Sequence, residues 1–183
     1  MSDTPLWLDA FARDWDVAHE RSVPGRLPGV VYYPGARRDG GSDGLWLRIT
    51  PAAGEPWTGV FSSDARPGRL SVVASWPEPS TVFVAGGGDP YLVRTDDPDI
   101  WSRLGRPDAR RFDPMPDLGL CLLLDDERLS AYDAAGLAWE SDLLGAGAIW
   151  LGRLDDEVHL RTDDLLHRVS LRHGGTVTEA ASW

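Results

Sequence analysis

No lysine occurs among the 183 residues, so all 18 basic side chains are arginine, and they stand against 29 carboxylates. The resulting net charge of −11 repels phosphate backbones and anionic bilayers, which argues against nucleic-acid and membrane partners and favours a basic one. The lysine-free, Arg/Ala/Gly-rich usage also points to a GC-rich genome. There is a single cysteine, Cys121, so an internal disulfide is excluded. Its place in an apolar run without a neighbouring base marks it as a buried thiol, not a nucleophile. No basic start followed by an apolar stretch opens the chain, and no window approaches 18 apolar residues, so neither a secretory leader nor a membrane helix is expected. The default compartment is the cytoplasm.

What the chain has in abundance is tryptophan (nine) and glycine (twenty). That mixture suits aromatic-rich sheets joined by tight turns. Leu120–Asp133 reads as an apolar strand, an acidic turn and a returning strand, and the unit recurs. Val82–Asp97, Gly119–Ala134 and Ile149–Asp164 superpose without gaps, placing aspartate at Asp89, Asp126 and Asp156 and again at Asp96, Asp133 and Asp163. Turns are expected at residues 125–128 and 155–158. Further strands are predicted at Val30–Tyr33, Leu45–Thr50, Trp57–Ser62, Ser71–Trp76, Leu137–Ser141, His167–Arg172 and Thr176–Ala180, with one helical turn around Ile100–Leu104. At the N-terminus, Leu6 to Glu20 lacks internal Pro and Gly, and Trp7, Phe11 and Trp15 recur at i, i+4 and i+8; an amphipathic helix is predicted there.

The expected fold is therefore mainly β, an antiparallel hairpin meander closing as a sandwich, an open barrel or a partial propeller, with one N-terminal α-helix. Residues 1–43 form the helix and a Pro/Gly-rich loop packed on the core; residues 44–183 form the hairpin-repeat domain. Val60-Phe61-Ser62-Ser63, the GGGDPYLV of Val82–Asp97 and Leu120–Glu140 resemble stretches of a family of uncharacterised bacterial proteins with strand-rich C-terminal halves. That resemblance implies a β-rich fold and carries no assigned activity. Leu129–Trp139 also resembles part of a quinoprotein-type propeller blade, without matching quinone-binding residues.

Chemical signatures are sparse. The spacings of His19, His159, His167 and His173 match no zinc pattern, and His159 and Arg161 are expected on the solvent face of one strand. Gly59–Ser63 lacks the second glycine of a nucleophile elbow. No Lys or Ser/Thr follows Gly86–Gly88, which makes it a turn and not a phosphate loop. No cofactor, metal or catalytic set is expected. Asp125, Asp126, Glu127, Asp155, Asp156 and Glu157, at two hairpin tips, are the candidate contacts for a basic protein partner, with the Trp7, Phe11 and Trp15 stripe as a second surface; aspartate at turns is more often a backbone-capping residue. The functional expectation is an acidic, non-enzymatic interaction module of immunity or adaptor type; the alternative is a hydrolase with two carboxylates facing across a cleft. The sequence sets no oligomeric state.

Overall fold

The computed structural model describes residues 5–20, 29–36, 44–62, 69–105 and 108–180. Among them every regular element is a strand, and the chain divides into two compact units, Met1–Ala109 and Arg110–Trp183.

The first unit holds two sheets. One contains β1 (Leu6–Leu8), β6 (Val72–Ser75), β7 (Thr81–Gly86), β8 (Asp89–Arg94) and β9 (Trp101–Arg103) in that spatial order; the other contains β2 (Trp15–His19), β4 (Gly44–Pro51), β5 (Trp57–Ser62) and β3 (Val30–Tyr32) in the order β2-β4-β5-β3. Pairings are antiparallel except β1 with β6 and β3 with β5. Between the sheets lies a core of Trp15, Tyr33, Leu45, Leu47, Ile49, Trp57 and Phe61 against Val73, Val82, Val84, Tyr91 and Val93. Its rings are locked by geometry: Tyr33 stacks on Phe61 with centroids 4.4 Å apart. The indole N–H of Trp57 donates to Thr95 O at 2.8 Å, and the Tyr91 hydroxyl donates to Pro34 O at 2.6 Å. Gly86 marks the closest approach, since a β-carbon there would collide with the backbone carbonyl of Ser62.

The predicted N-terminal helix is not present. Leu6–Leu8 and Trp15–His19 are instead strands at the edges of two different sheets. Between them the N–H groups of Ala10 and Phe11 donate to Ser75 Oγ at 2.9 and 2.8 Å. The physical reason is that a spacing of four residues satisfies both periods, 3.6 and 2, so the stripe did not discriminate. Helix propensity is worth only tenths of a kcal/mol per residue, whereas β6 and β4 each offer an unpaired ladder. The helical turn expected around Ile100–Leu104 is likewise strand β9.

The second unit holds two four-stranded antiparallel meanders. One runs β10 (Arg111–Met115), β11 (Leu120–Leu124), β12 (Leu129–Asp133), β13 (Gly136–Glu140); the next runs β14 (Ile149–Leu154), β15 (Glu157–Thr162), β16 (Leu165–Ser170), β17 (Thr176–Ala180). Strand β10 carries Pro114, and it lies at a sheet edge where a missing N–H is tolerated. The core between these sheets is aliphatic: Leu122, Leu124, Leu129, Leu144, Val158, Leu160, Val169 and Leu171, with Trp139 and Trp150 only partly buried against it.

All three repeated units are antiparallel hairpins, β7–β8, β11–β12 and β14–β15. The first acidic turn occupies residues 125–128, and the second tightens to Asp155-Asp156. The stretch Leu129–Trp139 makes the hairpin of β12 and β13.

Candidate protein-interaction surface

The acidic tips are built largely for folding. Asp125 is buried, and one carboxylate oxygen accepts the N–H groups of both Glu127 and Arg128 at 2.7 Å, while its own N–H donates to Arg128 O at 3.0 Å. That is an aspartate doing the work of a turn cap. The turn is seated on its neighbouring loop, because Leu144 N–H donates to Glu127 O and Gly147 N–H to Asp126 O.

The repeated aspartates share one role. Asp89 pairs with Arg103, Asp126 with Arg110, and Asp156 with Arg172. In each case the hairpin's aspartate holds an arginine from a different strand or connecting segment of the same unit. Of the second aspartate set, Asp96 pairs with Arg94, and that guanidinium lowers its pKa. Asp133 accepts the N–H groups of Ala135 and Gly136, and Asp163, like Asp155 in the preceding turn, adopts positive φ, which aspartate tolerates in turns. Glu157 lies 3.6 Å from His159 and 3.8 Å from Arg168. Asp155 and Asp156 remain exposed.

The aromatic stripe is not assembled. Trp15 is 5% exposed within the first core, Trp7 is 41% exposed on edge strand β1, and Phe11 is half-buried in the connection. Cys121 is fully buried on β11, and burial pushes its thiol pKa far up. The alternation predicted for β15 is present: Val158, Leu160 and Thr162 are buried, His159 and Arg161 half-buried on the opposite side. His167 lies buried between two threonines, with Nε2 2.6 Å from Thr162 Oγ1 and Nδ1 3.0 Å from Thr178 Oγ1. Thr162 Oγ1 also donates to Leu144 O at 3.2 Å. A neutral imidazole that donates from Nε2 and accepts at Nδ1 satisfies this whole chain, and burial lowers the His167 pKa. Among the described residues no group of three or more His, Cys, Asp or Glu side chains is placed to hold a metal ion.

Two surface features of the second unit were not drawn from sequence, although the second of them includes the candidate residue Asp156. The first is on β14, an edge strand, where Ile149, Leu151 and Leu154 are each more than half exposed. Trp150 points the other way, pairing with Leu160, and carries the Arg111 guanidinium 4.5 Å from its ring centroid. A bulge at Leu151 interrupts the ladder, so the edge offers side chains in place of a regular backbone template. The signal was available in sequence: IWLGRL has no strict polar alternation, unlike the EVHLRT with which it pairs.

The second feature is a depression of about 410 Å³, partly open to solvent, lined by Leu118, Leu120, Leu171, Asp156 and Arg172. It lies where the turns of β10–β11, β14–β15 and β16–β17 come together. Leu171 N–H donates to Asp156 O at 2.8 Å, and Arg172 donates from Nε and Nη2 to Asp156 Oδ2 at 2.8 and 2.5 Å. Nearby, Arg153 grips Asp117 through two bonds of 3.0 and 2.8 Å. Of the six tip carboxylates, only Asp156 lines this depression.

No family model matches the chain, and no curated protein matches it. Solved structures do show similarity. Kluyveromyces lactis Hsv2p aligns with a TM-score of 0.39 at 12% identity over 63% of this chain and 38% of that one. An S. cerevisiae complex of a Dbp5 variant bound to Nup159, a Gle1 variant, IP6 and ADP contains a chain aligning at 0.43 and 10% identity, covering 96% of this chain and 52% of that one. The N-terminal domain of Nup159 aligns at 0.39 and 12% identity, covering 96% and 53%. This chain thus spans about half or less of each of these three solved chains.

Proposed function

We propose that this chain is a non-enzymatic protein-interaction module, of immunity or adaptor type, that binds a partner carrying basic groups around an apolar contact. The observation that carries this reading is the row of Ile149, Leu151 and Leu154 on the edge of the second unit, each more than half exposed. Contiguous exposed apolar side chains are uncommon on soluble monomers and mark contact surfaces. Charge adds the second half. Residues 110–183 carry fourteen carboxylates and seven arginines, so a field of negative sign survives the ion pairs and steers a cationic partner toward the apolar row.

The test uses the full chain as bait in an extract of its native host, with captured proteins quantified for wild type and for Leu151→Glu/Leu154→Glu. A partner depleted at least about tenfold by the double substitution, with the thermal midpoint nearly unchanged, is the expected result. Equal capture by both baits would overturn the reading.

A further inference from the structure

We propose that the depression bounded by Leu118, Leu120, Leu171, Asp156 and Arg172 is a receptor for one apolar anchor side chain of an extended peptide segment, with the anchor's own backbone amide held by Asp156 and Arg172. The inference rests on the interaction-module reading and names the chemistry of a contact separate from β14.

Three leucines make the apolar lining: Leu171 is buried, Leu120 half-buried and Leu118 exposed. The volume, about 410 Å³, falls within the range of roughly 300–1,000 Å³ usual for small-molecule sites. Its openness lets a chain run through instead of enclosing a whole ligand. The polar pair supplies the distinguishing chemistry. Arg172 spends Nε and Nη2 on a single oxygen, Asp156 Oδ2. Among the described residues, Arg172 Nη1 and Asp156 Oδ1 have no protein partner, so the rim presents one donor and one acceptor next to an apolar floor. A peptide unit carries the complementary set, one N–H and one C=O, beside its side chain.

Charge selects the flanks. Asp155 stands exposed on the turn that carries Asp156, which favours arginine or lysine on that side of the anchor, whereas Asp117, beside Leu118, is already held by Arg153.

The probes are the blocked tripeptides Ac-Arg-Leu-Arg-NH2 and Ac-Arg-Ser-Arg-NH2, equal in charge, together with the ester analogue that removes the leucine N–H. Each is titrated into the ¹⁵N-labelled full chain and followed by amide shifts. The leucine peptide is expected to move the Leu118, Leu120, Leu171 and Arg172 amides and to bind about tenfold more tightly than the serine peptide. The ester and Arg172→Ala each weaken it severalfold, and Leu118→Asp weakens it about tenfold while keeping native shift dispersion. Equal affinity of the leucine and serine peptides, or shifts confined to β14, would overturn the proposal. The two proposals fail separately: Leu151→Glu/Leu154→Glu leaves tripeptide binding unchanged, so loss of captured partner with intact tripeptide binding speaks to β14 alone.

Discussion

The two units pack paired β-sheets with different side chains, and the difference tracks where apolar surface is left outside. In the first, rings fill the space: Trp15, Tyr33, Trp57, Phe61 and Tyr91 all lie within one core, and the polar atoms of Trp57, Tyr91 and Tyr33 are tied to the distant carbonyls of Thr95, Pro34 and Pro98, while the buried Trp15 indole nitrogen has no partner among the described residues. In the second, leucine and valine do the same job and the two nearest indoles stay partly exposed. Of the twelve large apolar residues exposed among the described residues, four belong to the first unit and eight to the second, although the second is the shorter. A large planar ring fixes its neighbours by stacking and edge contacts; aliphatic layers are more tolerant of substitution. The first core is therefore the more rigidly fixed scaffold, and the second unit leaves more large apolar side chains outside.

The sharpest way to break that contrast is in the first core. Phe61→Ala removes a ring that is fully buried and stacked on Tyr33, and it should cost about 3–5 kcal/mol in urea unfolding. Phe61→Leu keeps an apolar side chain yet still loses the stack, worth about 0.5–1.5 kcal/mol beyond area. By comparison Leu124→Met in the second core should cost less than about 1.5 kcal/mol. If the leucine substitution were the more damaging, the scaffold distinction would fail.

A medium effect is expected at His167. Its folded pKa is depressed by burial, so the unfolded chain binds the proton more readily. The resulting stability is present above about pH 6.5, the ordinary histidine pKa, and is lost as pH falls through and below it. Thermal midpoints should drop between pH 7.5 and 5.5, and His167→Asn should flatten that drop. An identical pH profile in the variant would remove His167 as its source.

These expectations also show how much of the molecule can be read from its residues. The three hairpins were readable because an apolar strand, a Gly- or Asp-rich turn and a returning strand recur in phase, with strict alternation in EVHLRT after Asp155-Asp156. The N-terminal segment misled because Trp7, Phe11 and Trp15 fit a strand as well as a helix, and only the open edges of β6 and β4 decide between them. The acidic residues were readable as turn formers. Their arginine partners were not: Arg103, Arg110 and Arg172 lie 14 to 16 residues from Asp89, Asp126 and Asp156, and pairing them requires the register of the folded sheet. The depression was invisible for the same reason, since Leu118, Asp156 and Leu171 come from three separate turns.

The smallest effect is predicted at those ion pairs. Asp89→Asn, Asp126→Asn and Asp156→Asn each break one solvent-accessible pair, so each should change stability by only about 0–1 kcal/mol. Larger losses by thermal or urea unfolding would show that the repeated aspartates contribute more to the hairpins than exposed ion pairs normally do.

The most direct measurement of the central claim is amide hydrogen exchange of the full chain with and without the captured partner. The account predicts new protection in the second unit, at residues 149–154 and around Leu118 and Arg172, with exchange in residues 5–105 nearly unchanged. Protection confined to the first unit, around Trp7 or Trp101, would contradict it.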